Sequence, residues 1–187
     1  MVMPLKKILE LYRPEQQQQP NWVDTWKDCF ADAGVDLSER LGREHLSECC
    51  RANETFVDVE HLLQQLKERS FRLGLLSNAT GPGDIFQQDL ESRGLAQYYD
   101  AVVWSCDIGY RKPYHAAFNI ALQKLQANAA TTLMVGDSEI ADIQGARQLG
   151  MDTALVCNAF HSNSEAEYQE SPQQRYNDVL AITDQRL

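Results

Sequence analysis

Short apolar runs alternate with segments of helical spacing along most of the chain. Four runs predict strands, at residues 71–76, 101–104, 131–135 and 153–157. Segments in which apolar residues recur every three or four positions predict helices beside them, at residues 59–66, 84–93, 113–125 and 139–149. Alternating strands and helices are typical of an α/β fold, in which a parallel sheet is covered on both faces. Ligands of such sheets bind beyond the carboxyl ends of the strands.

The first 55 residues show helical spacing and no strand pattern. Apolar residues recur at this spacing in residues 5–12 and 22–33, and Ser38 or Asp36 can cap a third helix. Residues 14–20, which include four consecutive glutamines, predict a loop.

The change of pattern at residue 56 divides the chain into two regions. We expect a helical appendage at residues 1–55 and an α/β core at residues 56–187. Near the end of the core, the apolar residues 179–182 predict an edge strand.

The composition narrows the classes of function. The chain of 187 residues has a formal net charge of -10 and no cluster of Lys and Arg, so no nucleic-acid partner is expected. No apolar run is long enough to span a bilayer or to form the core of a secretory signal, so no membrane partner is expected either. The five cysteines are irregularly spaced without a Cys-x-x-Cys pair, which favours free thiols and a cytoplasmic location.

Three strand ends carry residues suited to chemistry, and the first is Ser77-Asn78. A hydroxyl and backbone amides at such a position can donate hydrogen bonds to an anion. Ser-Asn pairs are also common in ordinary turns, so this pair alone is a weak indication.

The second strand end leads to Lys112, directly before Pro113 and a predicted helix. The N-terminus of a helix carries partial positive charge, so a lysine there does not stabilise the helix. A lysine that neutralises a phosphate explains the position, and a solvated surface lysine is the alternative.

The third strand end is Gly136-Asp137, and Asp142 follows in the first turns of the next predicted helix. Two carboxylates that converge at a strand end are suited to a hard cation such as Mg²⁺. A capping Asp and a solvated helical Asp are the alternative interpretation.

In this order, the three strand ends resemble motifs two, three and four of the haloacid dehalogenase-like (HAD) hydrolases. The match rests on Ser77-Asn78, Lys112-Pro113 and the segment from Gly136-Asp137 to Asp142, and it covers roughly residues 56–157. The resemblance implies a Rossmann-like parallel sheet. Residues 1–55 resemble the helical cap that the family inserts after its first motif.

The resemblance also implies hydrolysis of a small phosphorylated metabolite through an aspartyl-phosphate. Ser77 would bind the phosphoryl group with the amides of Asn78 and Ala79, and Lys112 would neutralise the charge of phosphate and nucleophile. Asp137 would coordinate Mg²⁺ directly, and Asp142 would hold the ion through water or support the site.

The family's first motif, an apolar strand followed by Asp-x-Asp-x-Thr, has no counterpart in this chain. Neither Asp24 nor Asp36 follows a strand or precedes a second Asp by two positions. In the family this strand lies at the centre of the sheet, between the strands that end here at Ser77 and Asp137. Its absence would leave two strand edges unpaired, and residues 1–12, despite their helical spacing, are the only obvious candidate to fill the position.

Three explanations remain open at this point: a reading frame truncated at its start, a degenerate relative that binds without turnover, or a partner chain that supplies the strand. Truncation is favoured because the other motifs are intact. The candidate functions are a Mg²⁺-dependent phosphatase that is inactive as this chain alone, a non-catalytic phosphate- or partner-binding protein, and a haloacid dehalogenase or phosphonate hydrolase. Trp22, Trp26 and Phe30 would line a specificity pocket if they do not form the core of the cap.

Overall fold

The structure is a computed structural model that describes residues 13, 15–31, 34–56, 58–156, 168–170 and 175–184. Its α-helices are α1 (Trp22–Ala31), α2 (Glu39–Ala52), α3 (Val59–Glu68), α4 (Gly83–Ser92), α5 (Ser105–Ile108), α6 (His115–Leu125), α7 (Gly145–Arg147) and α8 (Arg175–Asp184). Its strands are β1 (Gly74–Ser77), β2 (Ala101–Trp104), β3 (Leu133–Gly136), β4 (Asp152–Val156) and β5 (Tyr168–Glu170). A π-helix at Glu139–Gln144 leads into α7, and short 3-10 helices lie at Ala96–Tyr98 and Ala129–Thr131. Within the described ranges, every helix is too short or too polar to traverse a lipid bilayer.

Most predicted elements are present, with ends shifted by a few residues. The strand predicted at residues 101–104 has those bounds. The edge strand predicted at residues 179–182 is wrong, because this segment lies inside α8. Val179 and Ile182 are three positions apart and both buried, which is the spacing of one helix face. The helix predicted at residues 5–12 lies outside the described residues.

All strand pairs of the described part are parallel, but they form two sheets. β1 pairs with β2, from Gly74 opposite Ala101 to Ser77 opposite Trp104. In the other sheet, β4 lies between β3 and β5. No described strand pairs with the second edge of β1 or with the second edge of β3. The described residues therefore have an α/β architecture in two parallel sheets, and among them no strand connects β1 to β3.

Helix α6 packs across both sheets. Its Phe118 is 2% exposed and forms a buried cluster with Ala146 and Met151. Leu76 of β1 and Met134 of β3 both pack against this cluster. One helix thus holds the two sheets side by side.

Helices α1 and α2 pack onto the α/β core. Leu46 and Cys50 of α2 form a buried cluster with Ile85 of α4, and Trp26 of α1 covers it. Ser38 is the N-cap of α2, as one of the two predicted caps. Because this cluster joins the two regions, the division at residue 55 stays a prediction.

Candidate functional site

Ser77 is the last residue of β1, at the carboxyl end of the sheet. It lies opposite Trp104 of β2 and is partly buried. The loop that follows leads to Gly83, where α4 begins. A hydroxyl at this place has the strand-end position that the sequence predicts for an anion-binding serine.

Asn78 fastens this strand end to the Lys112 loop. Its Nδ2 donates to the carbonyl oxygen of Lys112 at 2.9 Å, and its Oδ1 accepts from the amide of Lys112 at 2.8 Å. The side chain of Asn78 thus holds main chain, and only its backbone amide is left as a candidate for the phosphoryl contact that the sequence suggests. Two hydrogen bonds therefore join the loop after β1 to the Lys112 loop.

The side chain of Lys112 connects the two sheets. Its Nζ donates to the carbonyl oxygen of Leu76 at 2.7 Å and lies 2.7 Å from Oδ1 of Asp142. The Lys112 side chain is 10% exposed and that of Asp142 is 4% exposed. A buried ion pair needs such further hydrogen bonds, because either charge alone would be costly. Helix α6 begins at His115, later than the predicted residue 113, so Lys112 lies in the loop before it.

Asp142 holds the turn after β3. Its Oδ2 accepts hydrogen bonds from the amides of Asp137 at 3.1 Å and Ser138 at 3.0 Å. The carboxylate lies so close to Gly136 that a Cβ at that position would collide with Oδ2. Both oxygens of Asp142 therefore bind groups of the protein itself, and this residue holds the turn that carries Asp137.

Asp137 follows β3 directly and is exposed. In the described part of the chain, no side chain donates a hydrogen bond to its carboxylate, and its amide is held by Asp142. The turn is therefore fixed while the carboxylate stays open to a ligand.

The donor set suits a shared ion and not a closed metal site. Among the described residues, no three His, Cys, Asp or Glu side chains come together as metal ligands. Protein-bound Mg²⁺ commonly takes one or two carboxylates, with water and substrate phosphate as its other ligands. Asp137, with Asp142 behind it, fits a Mg²⁺ ion that is held jointly with a phosphate.

A layer of polar residues that the sequence did not reveal supports the loop after β1. Ser105 is fully buried, and its Oγ accepts from the amide of Ala79 at 2.9 Å. Gln19 Oε1 accepts from Ser105 Oγ at 2.6 Å and from Arg111 Nη1 at 2.8 Å. Arg111 is 1% exposed and also donates to Thr80 Oγ1 at 3.2 Å. The Ala79 amide thus has a buried partner in this structure, and the expectation that it helps to bind a phosphoryl group stays a prediction.

The glutamine segment has a structural role in this layer. Gln18 forms an antiparallel bridge with Tyr110, and the amide of Arg111 donates to the carbonyl of Gln17 at 3.0 Å. The segment was predicted only as a loop. Nothing in four consecutive glutamines signals a partner so far along the chain.

A groove of about 540 Å³ lies between the two sheets. Its walls include Gly74, Leu75 and Leu76 of β1 and Leu133, Met134 and Val135 of β3. Lys112, Asp137 and Asp142 line the same groove, at the carboxyl ends of these strands. The charged residues of the site therefore lie at one end of a groove whose walls are mainly apolar.

The aromatic residues of α1 belong mainly to a core. Trp26 stacks on Phe30 with ring centroids 6.0 Å apart, and Phe30 is 7% exposed. Trp22 lies against Gly42 of α2, where a Cβ would touch its ring. Trp26 and Phe30 therefore belong to a core and not to a specificity pocket. Trp22 also borders an open surface pocket.

Comparisons with known proteins agree with this architecture. The family model described as haloacid dehalogenase-like hydrolase matches residues 3–156. Ribulose-1,5-bisphosphate 5-phosphatase of Halopiger xanaduensis is 32% identical over 114 residues, which are 61% of this chain and 45% of that protein. Glyceraldehyde 3-phosphate phosphatase of Methanothermobacter thermautotrophicus is 32% identical over 117 residues, which are 62% of this chain and 50% of that protein. The chain spans about half the length of these two relatives.

Solved structures show the same fold. A HAD phosphatase from Thermococcus onnurineus superposes with a TM-score of 0.71 and 21% sequence identity. The superposition covers 96% of this chain and 78% of that chain.

Proposed function

The chain belongs to the haloacid dehalogenase-like hydrolases, and on this premise we propose that it is the phosphoryl-binding core of a Mg²⁺-dependent phosphatase for small phosphorylated metabolites. The observation that carries this proposal is the position of Lys112, whose Nζ joins the carboxyl end of β1 to Asp142 behind β3. The names of the phosphatases that are about one third identical to the chain support the substrate class.

In this proposal, Ser77 and Lys112 hold the phosphoryl group between them. The Ser77 hydroxyl donates to one phosphoryl oxygen, and the ammonium of Lys112 offsets charge on the transferring group. Asn78 sets the distance between these two groups, because its side chain holds the main chain of Lys112 at both its amide and its carbonyl.

Asp137 is the residue we assign to Mg²⁺, with Asp142 as its support. The ion would offset negative charge on the phosphate when both are bound. The open carboxylate of Asp137, held in a turn that the oxygen of Asp142 fixes, suits this task.

Hydrolysis in this family requires a carboxylate that attacks phosphorus. The described residues that line the groove include two carboxylates, Asp137 and Asp142, and both have other roles. This favours a second candidate function for the chain on its own, namely binding of phosphate and Mg²⁺ without turnover.

Calorimetric titration with inorganic phosphate, with and without Mg²⁺, tests the binding step, and phosphate release from a panel of phosphorylated metabolites tests turnover. We expect binding that depends on Mg²⁺ and that weakens by about tenfold or more in Asp137→Asn. Asp24→Asn, an exposed carboxylate on α1, is the matched control and should bind as the unaltered chain does. Release of phosphate would identify the phosphatase, and binding alone would identify the second candidate. If the folded chain binds neither phosphate nor any metabolite of the panel, both candidates are wrong.

A further inference from the structure

Another pocket, called the β2 pocket below, lies at the carboxyl end of β2 beside the start of α4. It has a volume of about 630 Å³, which is within the range of small-molecule sites. Its walls come from residues 81–83 at the start of α4, from the end of β2 with Cys106 and Asp107 after it, and from Trp22 of α1. No residue that we assign to the phosphoryl group or to Mg²⁺ lines this pocket, so it is separate from the phosphoryl site.

Two indole rings in the wall of the β2 pocket are held by other side chains. The Nε1 of Trp104 donates to Oε1 of Gln87 at 3.4 Å, and Phe86 packs against the Trp104 ring with centroids 5.5 Å apart. Trp22 lies against Gly42, where a Cβ would touch its ring. Both indoles stay partly exposed. Rings that are already fixed lose little conformational freedom when they contact a ligand.

The charged side chains of the β2 pocket are both acidic, Asp84 and Asp107. Asp84 forms an ion pair with Arg43 of α2, and the side-chain hydrogen bond from Arg43 lowers the pKa of this carboxyl. Among the described residues, no Lys, Arg or His pairs with Asp107, and its side-chain hydrogen-bond partner is the Cys106 thiol at 3.8 Å. Burial raises the pKa of that thiol to about 12, so it is a neutral donor at neutral pH. One negative charge in the pocket is therefore not matched by a cation of the described residues.

The carboxylate of Asp107 lies against the main chain of the pocket. A Cβ at Gly83, the first residue of α4, would collide with both carboxylate oxygens, so glycine allows this close approach. An anion beside the N-terminus of a helix also stabilises the helix. Asp107 therefore has two candidate roles, to stabilise α4 and to bind a cation, which an experiment must separate.

We propose that the β2 pocket binds a small organic monocation with an alkylammonium head, which contacts the rings of Trp22 and Trp104 and places its charge beside Asp107. The face of an indole ring attracts a cation, most strongly where water is excluded. The single unmatched carboxylate suits a ligand with one positive charge. A hard metal ion fits less well, because it needs several oxygen ligands, and no three His, Cys, Asp or Glu of the described residues come together.

The probe is choline, and its control is the uncharged carbon isostere, in which a tert-butyl group replaces the trimethylammonium group. Both are titrated at constant ionic strength into the whole chain labelled with ¹⁵N. The indole N–H signals of Trp22, Trp26 and Trp104 report on the ligand, after each is assigned with a variant that lacks it. Trp26 is the internal control, because it packs against the buried cluster between α2 and α4 and does not line the β2 pocket.

We expect choline to bind with a dissociation constant below about 1 mM, and the isostere to bind about tenfold more weakly. The signals of Trp22 and Trp104 should shift, and that of Trp26 should stay. Asp107→Asn should weaken choline binding by about tenfold and leave the isostere unchanged, since it removes the charge and keeps the shape. Asp58→Asn, at an exposed carboxylate before α3, is the matched control and should bind choline as the unaltered chain does.

Three results would overturn the proposal. Equal binding of choline and its isostere would show an apolar pocket with no preference for charge. A choline titration that shifts neither Trp22 nor Trp104 would show that the pocket does not take this cation. If Asp107→Asn lowers the melting temperature but leaves the affinity for choline unchanged, Asp107 serves α4 alone and the assigned charge contact is wrong.

The comparison of the two ligands uses the unaltered chain, so it decides the proposal even where a variant does not fold. None of these outcomes bears on the proposed function, because the phosphoryl site lies outside this pocket.

Discussion

Replacement of Lys112 by Met tests whether the buried ion pair holds the site together. The pair with Asp142 is almost fully enclosed, with side chains 10% and 4% exposed. Removal of one partner of a buried pair typically costs about 3–5 kcal/mol, because the other charge stays buried. Asp142 keeps two amide donors after the change, so the lower end of this range, about 3 kcal/mol, is expected.

Urea denaturation followed by circular dichroism measures this loss. With a slope of about 2 kcal/mol per molar urea, the midpoint should fall by about 1.5 M. The double variant Lys112→Met, Asp142→Asn removes both charges, while the amide oxygen can still accept from the turn. It should lose only about 1–2 kcal/mol relative to the unaltered chain, so the second change partly rescues the first.

An exposed pair provides the comparison. Arg40 and Glu44 on α2 form an ion pair with side chains 83% and 57% exposed. Arg40→Met should change the free energy of unfolding by less than about 0.5 kcal/mol. If Lys112→Met is as mild as Arg40→Met, or if the double variant is less stable than Lys112→Met alone, the argument from the buried pair is refuted.

Three further changes test other parts of the structure. Gly136→Ala should destabilise the chain by about 2–3 kcal/mol in urea, since its Cβ would collide with the carboxylate of Asp142. Asp100→Asn should reduce the fall of the melting temperature that the chain shows as pH is lowered below about 4. The side-chain hydrogen bond from Lys67 lowers the pKa of Asp100, so this carboxylate stabilises the fold above about pH 4 and loses the effect as pH falls through its lowered value. The Cys106 thiol, whose pKa burial raises to about 12, should resist iodoacetamide at pH 8 in peptide mapping of the folded chain.

Each of these changes has its own control. Gly150→Ala, at a glycine with φ of 76° and open space around its Cβ, should cost only about 1 kcal/mol, so an equal loss in both glycine variants would contradict the collision. Lys67→Met should reduce the same fall of the melting temperature at acidic pH. If neither variant changes this fall, the Lys67–Asp100 pair is not its cause. Cys49 is exposed and should react first, so equal labelling of the two cysteines would exclude burial as the cause.

Local pattern was enough to predict the elements that carry the site. An apolar run gave the bounds of β2, and strand ends placed Ser77 and Asp137 where β1 and β3 stop. What fills the position between these strands stays a prediction, since residues 1–12, the candidate from the sequence, lie outside the described residues. The roles of Ser77, Lys112 and Asp137 toward a ligand stay predictions.

Contacts between distant segments could not be predicted in this way. Gln19, Ser105 and Arg111 meet behind the loop after β1, and no local pattern relates a glutamine run to a buried arginine. Residues 179–182 lie in α8 and not in the predicted strand, since four apolar residues in a row fit either structure and only their tertiary contacts decide.

The side chain of Asn78 fixes the main chain of Lys112 and forms no hydrogen bond with the Lys112 side chain. Both of its hydrogen bonds end on main-chain atoms, which every residue type except proline would present in the same way. The hydrogen bonds of Asn78 therefore do not depend on the side chain at position 112. A change at position 78 would release the main chain of the Lys112 loop, whereas a change at position 112 would remove the buried ion pair with Asp142 and leave both of these hydrogen bonds in place.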